Sequence, residues 1–201
     1  MGSWFPKVYD VAMQPLEAAR FKQVRTELVG RAEGRVLEIG SGTGINFPYY
    51  KNAIRVDAIE PNPSMRKRAG DRLRNARVHI QVHETGAESL PFENDTFDTV
   101  VATLVFCTIP DPSKALAEIQ RVSKPGAVLL FFEHVRMEPF LLSKSQDLLN
   151  PLWEKICDGC QLNRETLTLI KESGIEVTSV KAYYAKLFLY IEGLNVKKSD
   201  G

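Results

Sequence analysis

The chain has 201 residues, 44% of them hydrophobic and 25% charged, which suits a single ordinary domain with a sizeable core. A net charge of +1 gives no reason to expect nucleic acid as a partner. No apolar stretch approaches the roughly 20 residues that span a bilayer, no leader pattern is visible, and three cysteines make no disulfide framework, so a reduced, cytoplasmic protein is expected.

In chain order, residues 15–31 carry Leu16, Ala19, Val24 and Leu28 among charges and read as an amphipathic helix, with Gly34 ending the connection to a sheet. Residues 35–39 and 54–59 are apolar enough for two buried strands. Residues 63–75 open with Pro63 and read as a basic helix. Residues 78–82 alternate as a third strand, and 97–104 read as a fourth, apolar throughout and buried on both faces. Ala115, Leu116, Ile119 and Val122 place a helix at 112–122. Pro125-Gly126 turns the chain into a fifth strand at 127–135. Helices are expected at 139–156 and 163–173, then a strand pair at 175–182 and 187–194. Alternating strands and helices predict an α/β, Rossmann-like, doubly wound sheet of seven strands, mostly parallel, with one antiparallel strand and helices on both faces.

The first strand feeds straight into Gly40-Ser41-Gly42-Thr43-Gly44, and Glu60 closes the second, twenty residues after Gly40. Glycine lets a backbone turn tightly and approach a ligand, and an acid at the end of the second strand accepts hydrogen bonds from ribose hydroxyls. The pattern is Glu38-x-Gly40-x-Gly42-x-Gly44, with no glycine at 45, unlike the G-x-G-x-x-G of dinucleotide sites. A carboxylate at Glu38 is repelled by a pyrophosphate and suits a ligand with a cationic end, such as the ammonium and sulfonium of S-adenosylmethionine.

Together with Gly86-Ala87-Glu88-Ser89-Leu90-Pro91-Phe92, Phe97-Asp98-Thr99-Val100-Val101 and the run from Leu116 to Pro125-Gly126, these motifs resemble the class I S-adenosylmethionine-dependent methyltransferases over nearly the whole chain. Glu60-Pro61-Asn62-Pro63, Glu133-His134-Val135, Asn150-Pro151-Leu152-Trp153 and Asp158-Gly159-Cys160 narrow it to a methyltransferase-like subfamily. Its animal members are membrane-associated alkyl-thiol methyltransferases; bacterial relatives are often labelled generic or phospholipid methyltransferases. The resemblance implies one methyltransferase domain over 1–201, with 1–32 as an N-terminal helical lid segment and 136–174 as a helical segment on the acceptor side. It also implies a cofactor site formed by Glu38, Gly40, Ser41, Gly42, Gly44, Asn46, Glu60, Pro61, Asn62, Met65, Gly86, Ala87, Glu88, Thr103 and Leu104. The backbone N–H of Ala87 would face the adenine; many members carry Asp where this chain has Gly86.

In-line methyl transfer asks mainly for orientation, and the expected acceptor is a small, apolar molecule such as a thiol, quinol or lipid; the alternative, which the loop and Glu60 fit equally, is a noncatalytic S-adenosylmethionine-binding or interaction domain. Met13, Phe106, Phe140, Leu149, Leu152 and Trp153 are expected to wall it in, with Trp4, Phe5 and Tyr9 either covering the cofactor or simply packing. His134 either hydrogen-bonds a loop carbonyl, the plainer reading, or orients or deprotonates the acceptor. Asp158 either caps a helix at Asn163 or contacts the acceptor. Cys107 reads as a small buried residue rather than a nucleophile. Cys157 and Cys160 form a lone C-x-x-C without a second pair, so no metal is expected. Arg66, Lys67, Arg68, Arg72, Arg74 and Arg77 read as a solvated basic face, with peripheral contact to an anionic membrane as the alternative.

Overall fold

The computed structural model describes residues 20–157 and 159–197. Strands β1 (Glu33–Ile39), β2 (Asn52–Ile59), β3 (His79–His83), β4 (Phe97–Thr103), β5 (Ser123–His134), β6 (Glu176–Tyr183) and β7 (Phe188–Leu194) form one sheet in the order β3-β2-β1-β4-β5-β7-β6. Neighbours among β1 to β5 pair in parallel, and β7 runs antiparallel between β5 and β6. This is the doubly wound, mostly parallel seven-stranded sheet expected, its antiparallel strand supplied by the closing hairpin.

The helices are α1 (Lys22–Gly30), α2 (Pro63–Arg74), α3 (Pro112–Val122), α4 (Phe140–Ile156) and α5 (Thr166–Glu172). Side chains alternate along each strand, so each buried strand feeds two cores. Leu37, Ile39, Val100, Ala102, Leu129 and Phe131 pack with Leu116 and Ile119 of α3 and Ile170 of α5. Val36, Val56, Val101, Leu130 and Phe132 pack with Val24 and Leu28 of α1 and Ala69 of α2. The start of α2 is fixed by Asn62, whose side-chain oxygen accepts from the N–H of Ser64 and Met65, with Pro63 in the first turn. Asp111 does the same for α3 through the N–H of Lys114. The winding reverses at β1, with β2 and β3 on one side and β4 and β5 on the other. Open α/β sheets bind ligands outside the carboxyl ends of the strands at such a switch point.

Besides Pro125-Gly126, which lie within β5 where a turn was expected, four local features differ from the sequence expectations. Gly34 lies inside β1, at a bulge, with φ +68°. β4 is not apolar throughout, because Asp98 accepts from the N–H of Arg35 at 2.8 Å and from Lys124 at 2.6 Å. α5 starts at Thr166 rather than Asn163, so no helix exists at Asn163 to be capped. The fourth is α4, which inverts the usual amphipathic rule: Ser143 and Gln146 are buried, while Phe140, Leu141, Leu148, Leu149, Leu152, Trp153 and Ile156 are exposed. Gln146 anchors it, accepting from the N–H of Met137 at 2.8 Å and donating to the carbonyls of Leu162 and Val135. Asp147 adds contacts to Arg136 at 2.8 Å and Asn163 at 2.9 Å.

Candidate functional site

β1 leaves the core into the loop of residues 40–46, where Gly40, Gly42 and Gly44 all have positive φ, from +54° to +75°. The three glycines have different reasons to lack a side chain. A Cβ on Gly40 would stand 2.1 Å from Cγ2 of Val105, and one on Gly44 would stand 2.7 Å from the ring of Phe47. These two are packing requirements. A Cβ on Gly42 would meet nothing within 4 Å. Its backbone therefore lies bare against open space at the carboxyl edge of β1, a cradle that a bound molecule can enter. Next to it, the buried Oγ of Ser41 has no hydrogen-bond partner among the described residues.

Glu60 follows β2 directly. Its Oε2 accepts from the N–H of Gly42 at 2.8 Å and its Oε1 from the N–H of Asn62 at 2.8 Å, so the carboxylate joins the glycine loop to the cap of α2. Two basic residues of α2 brace this corner rather than lying solvated on its surface. Arg72 donates to the carbonyl of Thr43 at 2.8 Å, and Arg66 donates to the carbonyls of Glu60 at 2.7 Å and Pro61 at 3.0 Å. Lys67 and Arg68 remain exposed. Met65, in the first turn of α2, is buried beside the same corner.

Glu38 is almost fully buried one residue before the end of β1. Its oxygens accept from the carboxamide of Asn46 and the hydroxyl of Tyr50, both at 2.9 Å. Burial lifts its carboxyl to about 7 against the pull of those two bonds. The same Asn46 receives Arg25 on its side-chain oxygen at 2.8 Å, and Arg25 and Asn46 both donate to Oγ1 of Thr103. A buried cation from α1 thus reaches the ends of β1 and β4. The sequence reading missed Arg25, although one signal was available: it falls beside Val24 and one turn before Leu28 and Val29, on the apolar face of its helix.

Leu104 follows Thr103 with φ +53°, an uncommon conformation for a leucine, and its N–H donates to the carbonyl of Phe132 at 2.7 Å. After β3, Ala87 is buried in the core and the Glu88 carboxylate faces the N–H of Asp111 at 3.4 Å. A Cβ on Gly86 would stand 2.9 Å from that carboxylate.

At the carboxyl ends of β4 and β5, Glu133 is fully buried and accepts from the N–H of Val105 at 3.1 Å and of Phe106 at 3.2 Å. Burial raises its carboxyl to about 7. His134 does not hydrogen-bond a loop carbonyl among the described residues: its Nε2 lies 3.3 Å from Sγ of Cys160, and its buried Nδ1 has no partner among them. The hydrogen bond from Cys107 draws the Cys160 thiol well below its ordinary range against the cost of burial, and His134 and Trp153 add to that pull. Burial disfavours charge on the His134 ring, but Cys160 outweighs it and the ring is held above its usual value. Asp158 lies outside the described residues, as do Met13, Trp4, Phe5 and Tyr9. Phe106 sits in the core, and Phe140, Leu149, Leu152 and Trp153 lie on exposed parts of α4, not enclosed by other described residues.

The family profile described as "Methyltransferase domain" matches residues 37–131. The chain is 35% identical over 178 residues to the thiol S-methyltransferase TMT1B of Homo sapiens, covering 82% of this chain and 72% of that protein. It is 36% identical over 123 residues to the ubiquinone/menaquinone biosynthesis C-methyltransferase UbiE of Marinomonas sp. (strain MWYL1), covering 58% of this chain and 49% of that one. Among solved structures, a SAM-dependent methyltransferase from Aquifex aeolicus superposes with a TM-score of 0.72 at 20% identity, over 98% of this chain and 100% of the other.

Proposed function

The chain belongs to the class I S-adenosylmethionine-dependent methyltransferases, and from that premise we propose that the acceptor of this enzyme is a small thiol. The observation that carries the choice is the state of the β4–β5 edge. Among the described residues there, the Glu133 carboxylate is held by two backbone N–H groups and the His134 imidazole is engaged with Cys160. An alcohol or carbon acceptor needs a positioned base to take its proton. A thiol, with an unperturbed pKa of about 8.5, supplies a few per cent of thiolate near neutrality without one. The likeness to a thiol S-methyltransferase points the same way.

The backbone of Gly42 and the hydroxyl of Ser41, bare and partnerless among the described residues, and the buried acid Glu60 fit S-adenosylmethionine, which supplies an electrophilic methyl group on a sulfonium. Glu60 accepts the ribose hydroxyls. Gly40, Gly42 and Gly44 let the chain pass beneath the sugar. Asn62, Pro61 and Met65 border the ribose and adenine, and Gly86, Ala87 and Glu88 border the adenine from the loop after β3. Arg25 meets the methionine carboxylate. Glu38 sets Asn46 by a direct hydrogen bond and acts on the cationic end through it. Thr103 and Leu104 lie where the methyl group emerges, so the acceptor enters over the carboxyl ends of β4 and β5.

The test is methyl transfer from labelled S-adenosylmethionine to an alkyl thiol, a quinol and phosphatidylethanolamine vesicles, assayed side by side. The alkyl thiol should exceed the others in kcat/KM by at least about a hundredfold, the lower end of what an absent base costs. Preference for the quinol or the amine would overturn the assignment while leaving the family intact.

A further inference from the structure

Cys107, His134 and Cys160 come from three separate parts of the chain, yet Nε2 of the histidine and the two sulfurs all lie within 4.8 Å of one another. Zinc holds sulfur at about 2.3 Å and imidazole nitrogen at about 2.05 Å, so a tetrahedral site sets S···S near about 3.8 Å and S···N near about 3.6 Å. The His134–Cys160 separation of 3.3 Å and the limit on the other two pairs fit those edges with small adjustments. We propose that Cys107, His134 and Cys160 form a Cys2His site for a borderline-soft divalent cation of the zinc type, with the fourth tetrahedral position open to water or a ligand.

The scaffold holds the three ligands in place. Glu133 ties the loop carrying Cys107 to the strand carrying His134 through its bonds to Val105 and Phe106. The N–H of Gln161 donates to the carbonyl of Cys107 at 2.9 Å, and Arg164 donates to the carbonyls of Phe106 and Ile109, each at 2.6 Å. The segment carrying Cys160 is thus fastened to the same loop. Two thiols and one imidazole are a donor set that selects zinc-like ions over magnesium or calcium. Three protein ligands with an open position are also the arrangement of catalytic rather than structural zinc sites. Cys157 is not part of the cluster. The C-x-x-C spacing is thus incidental to the site, which needs the fold to form.

The experiment is titration of the reduced full chain with Co2+, then displacement by Zn2+, under a reductant that is not itself a thiol. One equivalent should bind and give thiolate-to-cobalt charge-transfer absorption. Cys157→Ser should leave binding unchanged. Cys107→Ser, Cys160→Ser and His134→Ala should each weaken it by more than the roughly 10–100-fold lost with an outer partner. Circular dichroism reports which variants are folded, and the folded wild type carries the test if any are not. No saturable binding by the wild-type chain, or a charge-transfer band that survives in folded Cys160→Ser, would overturn the proposal.

Discussion

Glu60 offers the sharpest test of the cofactor site, because the geometry says what its replacement leaves behind. Its two oxygens accept from the N–H groups of Gly42 and Asn62, both at 2.8 Å, and the side chain is almost fully buried. Glu60→Ala removes the acceptors proposed for the ribose and, at the same time, the clamp on the loop. Charge-assisted bonds of this kind are worth about 1.5–3 kcal/mol, so affinity for S-adenosylmethionine should fall roughly ten- to a hundredfold. Glu60→Gln is not a gentle substitute. Its amide offers one oxygen and one NH2 group where two N–H donors converge, so one donor must face another. Its loss should therefore approach that of the alanine variant. Titration calorimetry with S-adenosylmethionine and with a 2′-deoxyribose analogue separates the two roles. The analogue should bind the wild type more weakly, yet show a much smaller wild-type-to-mutant difference. Unchanged affinity in Glu60→Ala, or the same loss for cofactor and analogue, would show that Glu60 does not read the ribose.

The three glycines of the loop should separate cleanly. Gly42→Val should abolish cofactor binding while circular dichroism stays near wild type, since only backbone strain of about 1–2 kcal/mol opposes folding there, whereas Gly40→Ala should lower the melting temperature by driving its Cβ into Val105. Arg25→Met should weaken S-adenosylmethionine binding by about tenfold or more but hardly affect 5′-methylthioadenosine, which lacks the carboxylate; equal losses on both would remove Arg25 from ligand contact. Asp57 is buried, a cost that raises its pKa, but bonds from His83, Arg55 and Arg35 win and hold it below the ordinary aspartate value. A depressed carboxyl stabilises the fold above the range where aspartate ordinarily titrates, and that contribution fades as pH falls through its folded value. Asp57→Asn should therefore cost about 1–3 kcal/mol at neutral pH, with the wild-type advantage in thermal melts shrinking on acidification; a gap that widens in acid would contradict the sign.

The sheet was legible because parallel strands buried on both faces announce themselves as apolar runs between turns, as residues 36–39 and 128–132 largely do. The loop and Glu60 were legible because glycine conformation and an acid at fixed spacing are local signals. Arg25 was hidden among the charges of an amphipathic helix, and only the ends of β1 and β4 show what it meets. Cys107, His134 and Cys160 were illegible for another reason. Their neighbourhood depends on β4 pairing with β5 and on the segment after α4 returning to the loop after β4. The C-x-x-C spacing pairs Cys160 with Cys157, which is not part of the cluster. Leu149, Leu152 and Trp153 were expected to face inward because apolar residues at helical spacing ordinarily do, and α4 turns them outward; the N-terminal segment expected to complete the wall lies outside the described residues.

The manner in which α4 is fastened also sets how the molecule opens. A helix held by Gln146, Asp147 and Asn150 rather than by buried aliphatic area contributes little to the global unfolding free energy and can detach as a unit of its own. Amide hydrogens in its middle turns should then exchange with deuterium well before those of β4 and β5, at a rate set by local opening and nearly indifferent to low concentrations of denaturant. Because Trp153 is carried on that helix and helps to hold the Cys160 thiol below its ordinary range, each such opening would also remove that pull, so that the thiolate reactivity of Cys160 should fall as exchange in α4 rises.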